Sequence, residues 1–216
     1  MFIESLEGRT LLSVSAINTQ IKIDRLEVKA DLLQFRSDVA SKTALLLGDL
    51  QTMKTDGLKN DATLFPLYKT FRSNVTKMHQ ALYADNLAEK ENVLSDELVI
   101  VKELIHIQKD KLSDPGNVSA DQQQLLADRV QLQTDEIAGL NARITTRETY
   151  FMTLSTDLSN LVIAAESDPN ASPALQTAIS NFSTDRSNTL TTLTGDLTAI
   201  MNARTTLAGD LMTLET

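Results

Sequence analysis

The residues of this chain best suited to chemistry are its two histidines, His79 and His106. Glu103 precedes His106 by three residues, and di-iron bundle proteins build their metal site from Glu-x-x-His pairs of this kind. That site needs a second pair and further glutamates, whereas Val75 and Thr76 precede His79. On one continuous helix the histidines would lie roughly 40 Å apart, so they cannot share an ion within a chain. We predict no catalytic residue, no metal and no cofactor, and keep a metal-dependent enzyme built on Glu103 and His106 as an alternative.

Other reactive patterns are missing from the sequence. The chain contains no cysteine, which excludes disulfides, thiolate metal sites and cysteine nucleophiles. It has no glycine-rich phosphate-binding loop and no nucleophile-elbow motif. The stretch from Asp114 to Asp121 lacks the alternating oxygen ligands and the terminal glutamate of a calcium-binding loop. These absences favour a protein that is not an enzyme.

Four segments with helical periodicity must position these residues. Three short breaks rich in Gly, Pro, Asp and Asn separate them, at residues 56–61, 113–117 and 166–173. Ser172 and Pro173 form a typical cap and first turn for the last segment. We predict helices at about 14–56, 62–112, 119–167 and 172–215, which gives an all-α protein.

Each segment carries apolar residues at steps of three, four or seven, which places them in one coiled-coil-like stripe. Short turns and equal lengths favour burying the stripes within one chain, as an antiparallel up-down-up-down four-helix bundle over residues 14–216 in a single domain. A two-helix hairpin that dimerises would satisfy the same pattern. The second segment loses its stripe after Leu82 and regains it in a second run, formed by Leu94, Leu98, Val101, Ile105 and Leu112.

Polar residues interrupt the stripes. Arg147 and Arg204 occupy stripe positions, and Arg186 lies near a break in register. Such residues can fix the register of a bundle at a cost in stability. We favour the simpler interpretation, in which each guanidinium extends from the edge of the stripe into water. The last segment is also rich in threonine, which indicates either a surface for assembly or a neutral solvated face.

The charge distribution limits the partners. The net charge is −9, and after residue 111 five arginines and no lysine stand against 13 acids. Such a surface repels phosphate backbones, so we expect no nucleic-acid partner. No apolar run approaches the ~20 residues of a transmembrane helix, and the first residues lack the pattern of a standard secretory signal.

The first residues do carry a different pattern, which reads Leu6-Glu7-Gly8-Arg9-Thr10-Leu11-Leu12-Ser13. It resembles the LEPR-XLL motif at the N-terminus of many exported or surface proteins of planctomycete-type bacteria. The family pattern is Leu-Glu-Pro-Arg, one variable residue and Leu-Leu-Ser, and Gly8 replaces its proline here. The resemblance implies that residues 1–13 form an export or sorting segment and that the protein lies in the periplasm, at the cell surface or outside the cell. The matching residues are Leu6, Glu7, Arg9, Leu11, Leu12 and Ser13.

Together these features predict a non-enzymatic, exported helical bundle with a structural or protein-interaction role in the cell envelope or outside the cell. Its partner is an unidentified protein or envelope component, with self-association as one form of that role. The alternative is a membrane-active or lipid-binding bundle that opens to expose amphipathic faces.

Overall fold

The computed structural model describes the backbone of residues 3–214 and the side chains of residues 16–214. It contains four long helices, α1 (Ile3–Thr55), α2 (Leu64–Ser113), α3 (Val118–Ser167) and α4 (Pro173–Thr213). A short 3₁₀ turn (Leu58–Asn60) joins α1 to α2, and the described residues contain no strand. The helices pack as an antiparallel four-helix bundle, which confirms the predicted fold class. Their bounds lie within two residues of prediction, except that α1 begins at Ile3 instead of residue 14.

Local side-chain chemistry sets the helix ends. Gly57 adopts a left-handed conformation (φ 103°) just after α1, which glycine reaches without the steric cost of a side chain. Asp61 caps α2, because its carboxylate accepts hydrogen bonds from the backbone N–H groups of Thr63 (2.9 Å) and Leu64 (2.8 Å). The Ser172 hydroxyl caps α4 in the same way, accepting a bond from the Leu175 N–H at 3.1 Å. These bonds fix the turns that the sequence predicted.

The bundle divides into two compact units, and each helix contributes to both. Unit 1 comprises residues 1–32, 86–141 and 199–216, and unit 2 comprises residues 33–85 and 142–198. Unit 2 contains a dense apolar core to which all four helices contribute. At its centre the rings of Phe71 and Phe182 meet edge to face, with 5.6 Å between centroids. The side chains around them include Met53, Leu64, Met78, Leu154, Leu158, Leu161 and Ile179.

Unit 1 has a smaller core. A buried cluster joins Ile21 of α1 to Leu207 and Leu211 of α4, with Leu126 and Val130 of α3 packed against it. Between Glu91 and Ser113, only six residues of α2 are buried or half-buried, and three of them are acids. We call these six residues the inner face of α2: Val93, Asp96, Ile100, Glu103, Ile107 and Asp110.

The second apolar run of α2 therefore does not face the core, and that sequence expectation is wrong. Leu94, Leu98, Val101, Ile105 and Leu112 are between 50% and 90% exposed. The reason lies in the helix phase. Because α2 continues unbroken, residues at steps of seven from Val75 and Leu82 stay on one face, and these are Glu89, Asp96, Glu103 and Asp110. The apolar pattern changes phase after Leu82, and the helix does not turn to follow it.

Candidate functional site

The exposed run of α2 is the most distinctive surface of unit 1. We call Leu94, Leu98, Val101, Ile105 and Leu112 the outer stripe. Steps of four and three separate the first four, and Leu112 follows Ile105 by seven residues. This is the a/d pattern of a coiled coil, so the side chains form one continuous seam along the helix. Single exposed leucines are ordinary, whereas large contiguous apolar surfaces are typical of interaction sites in soluble proteins.

The inner face of α2 brings acids into unit 1. Asp96 lies beside Asp135 of α3, and burial, the proximity of Asp135 and the charge of Asp128 raise the pKa of Asp96. A similar acid pair joins α1 and α4, where burial and then Asp24 raise the pKa of Asp210. Like charges at these positions oppose close packing, so the acid pairs lower the stability of unit 1.

The predicted pair Glu103 and His106 does come together with a third ligand. Asp121, in the first turn of α3, places a carboxylate oxygen 3.5 Å from the Nδ1 of His106. One potential ligand atom from each of the three side chains lies within 4.8 Å of the other two. His106 is largely exposed, whereas the Asp121 side chain is mostly buried and its second oxygen has no hydrogen-bond partner.

This cluster carries one nitrogen and two oxygen ligands, a donor set that suits zinc, iron or manganese. It lacks the second Glu-x-x-His pair of a di-iron site, because His79 lies in unit 2. Among residues 16–214 no other such group of three potential ligands occurs. The sequence alone did not indicate Asp121 as a third ligand, because contact across the turn between α2 and α3 leaves no spacing pattern.

His79 lies in unit 2 beside the two interrupting arginines. Burial first, and then the charges of Arg186 and Arg147, lower the pKa of His79. Arg204, in unit 1, is different, because it donates to the Gln133 side-chain oxygen at 3.0 Å and forms an ion pair with Glu136. None of these three arginines follows the edge-of-stripe interpretation, since each guanidinium is drawn into the bundle or paired there.

The export-like residues Leu6, Glu7, Arg9, Leu11, Leu12 and Ser13 fall within the backbone range of α1. Their side chains lie outside the described residues, so the sorting role stays a prediction. Comparison of the chain with protein-family models, with curated proteins and with solved structures finds no match. Within the described residues, none of the helices has a stretch that is both long enough and apolar enough to span a bilayer.

Proposed function

We propose that this chain is a non-enzymatic, exported helical bundle that acts by self-association through the outer stripe of α2. One observation carries the proposal: the stripe keeps coiled-coil spacing while each of its side chains stays at least half exposed on its own bundle. Burying each large apolar side chain contributes roughly 1.5–3 kcal/mol, so covering five of them favours association. The LEPR-XLL resemblance of the first residues supports the exported location.

A second copy of the same helix fits the charges beside the stripe. With Leu98 and Ile105 at a positions and Leu94 and Val101 at d positions, Glu97 occupies a g position. Lys102 occupies the e position five residues later. In a parallel two-stranded pair, each g residue faces the following e residue of the partner. Glu97 and Lys102 would then form two symmetric ion pairs, one on each side of the seam.

An antiparallel pair is less favourable. In that arrangement e positions face e positions, and this stretch of α2 has lysines at two of them, Lys102 and Lys109. Like charges on one edge of the seam would repel. The proposed assembly is therefore a twofold dimer with its two α2 helices parallel.

Sedimentation of the full chain tests self-association. We expect a dimer for the native sequence, and a monomer for the double variant Leu98→Lys/Ile105→Lys, because two charges in the seam would lose their water on pairing. Ile163→Lys is the matched control, since it changes an exposed apolar residue of unit 2 and should leave the dimer intact. Circular dichroism checks that all variants remain helical. A native chain that sediments as a monomer would refute the proposal.

Oxidative cross-linking tests the orientation. Because the chain has no cysteine, a single one can be introduced without side reactions. Val101→Cys lies at a d position, where equivalent residues of a parallel pair face each other, and should form a disulfide-linked dimer. Val99→Cys, exposed on the same helix but outside the stripe, should cross-link far less. Equal cross-linking of the two variants would contradict the parallel seam.

A further inference from the structure

Unit 2 contains a pocket of about 460 Å³, a volume within the usual range of small-molecule sites. Its apolar walls come from α1, α2 and α4. Four basic side chains also line it, the exposed Arg72 and the residues His79, Arg147 and Arg186. The principal apolar lining residues are Leu46, Leu50, Phe71, Val75, Leu190 and Leu193.

The two arginines bring uncompensated positive charge to this pocket. The Nε and Nη2 atoms of Arg186 and the Nε atom of Arg147 are buried and have no hydrogen-bond partner. Burial and the charge of Arg147 lower the pKa of Arg186, while burial and the charge of Arg143 lower that of Arg147. Within residues 16–214, no carboxylate forms an ion pair with either Arg147 or Arg186. Buried donors and like charges of this kind are costly unless an acceptor is supplied.

Two acids in this part of unit 2 contact groups other than these arginines. Glu148, the residue after Arg147, is exposed. Asp185, next to Arg186, lies against Asp49, whose pKa is raised by burial and by Asp185. Asp85 accepts a 2.7 Å hydrogen bond from Thr146, the residue before Arg147. His79 adds no fixed charge, because its lowered pKa favours the neutral imidazole.

We propose that this pocket binds an amphipathic organic anion, with its carboxylate or phosphate head held by Arg147 and Arg186 and a single hydrocarbon chain against the apolar wall. Guanidinium groups bind such oxyanions through paired N–H donors, which would satisfy the orphaned atoms. The neutral His79 can donate one further bond. The apolar lining selects an anion with a tail over a free inorganic one. This inference does not depend on the proposed self-association.

Titration calorimetry with the full chain, at pH 7.5 and below micelle-forming concentrations, tests the site. We expect dodecanoate and dodecyl phosphate each to bind one per chain, and the affinity to rise severalfold per CH₂ added from octanoate to dodecanoate. Dodecanol should bind at least tenfold more weakly, because it leaves the arginines unpaired.

Variants separate the head-group site from general hydrophobic uptake. Arg186→Met should weaken dodecanoate binding about tenfold or more while the protein stays folded by circular dichroism. Arg36→Met removes an exposed arginine of the same unit and should bind as the native chain does. Equal binding by native protein and Arg186→Met, equal binding of dodecanol and dodecanoate, or tight binding of inorganic phosphate without dependence on chain length would each overturn the proposal.

Discussion

Arg186 and Arg204 are both drawn into the bundle, but only one of them has a partner for its charge. Arg204 has a carboxylate partner, Glu136, and both side chains are mostly buried. Arg186 has buried N–H groups without a partner. Both interrupt an apolar pattern in the sequence, and nothing in that pattern distinguishes them, because the partner of Arg204 comes from another helix.

Replacing each arginine by methionine should therefore change stability in opposite directions. Arg204→Met should lower the free energy of unfolding by about 2–4 kcal/mol, because it leaves Glu136 buried without its counter-charge. Arg186→Met should raise it by about 1–2 kcal/mol in ligand-free protein, because it removes an uncompensated buried charge. Urea unfolding followed by circular dichroism measures both. A loss of stability in Arg186→Met equal to that of Arg204→Met would show that the Arg186 guanidinium is satisfied in solution.

At the scale of the helix, α2 stands apart because its sequence pattern and its orientation in unit 1 disagree. The inner face carries Asp96 against Asp135, while the side chains of the outer stripe are at least half exposed. The threonines of α4 bond within their own helix. The hydroxyls of Thr191 and Thr205, for example, donate hydrogen bonds to backbone carbonyls four residues earlier. Donation to their own helix favours the neutral-face interpretation of these threonines over a surface for assembly.

The acid pair on the inner face predicts a specific pH dependence. The folded-state pKa of Asp96 is raised, so the folded chain binds this proton more tightly than the unfolded chain does. Its contribution is favourable at low pH and is lost as the pH rises through the folded-state pKa. Asp96→Asn should thus stabilise the protein at pH 7.5, by less as the pH falls towards 3.8. Urea unfolding at several pH values measures this, with exposed Glu27→Gln as a control of equal charge change. A benefit of Asp96→Asn that is the same at every pH would contradict the raised pKa.

For the whole molecule, the architecture could be predicted from the sequence because the residues that end each helix act on their near neighbours in the chain. Asp61, Ser172 and Pro173 mark helix ends through bonds and dihedral preferences of neighbouring residues. The orientation of α2 in unit 1, the third ligand Asp121 and the pocket between Arg147 and Arg186 escaped prediction. Each depends on which helices meet and in what rotation, and the apolar period alone does not encode that.

Export is the prediction that belongs to the complete chain. If the LEPR-XLL-like residues direct sorting, fractionation of native cells should recover the protein outside the cytoplasm. Leu11→Ser/Leu12→Ser should retain it inside, whereas Thr10→Ser, at the variable place of the motif, should leave export unchanged. Recovery of the native chain only from the cytosol would refute the export assignment.

The uneven distribution of apolar burial has one more consequence. Most of the buried hydrophobic side chains among residues 16–214 belong to unit 2, although every helix runs through both units. In the unpaired chain, amide protons of a single helix should then exchange with solvent at very different rates, slowly near Phe71 and quickly near Leu98. A helix that is rigid along one stretch and opens locally along another can adjust its side chains to a partner surface without unfolding the rest of the protein.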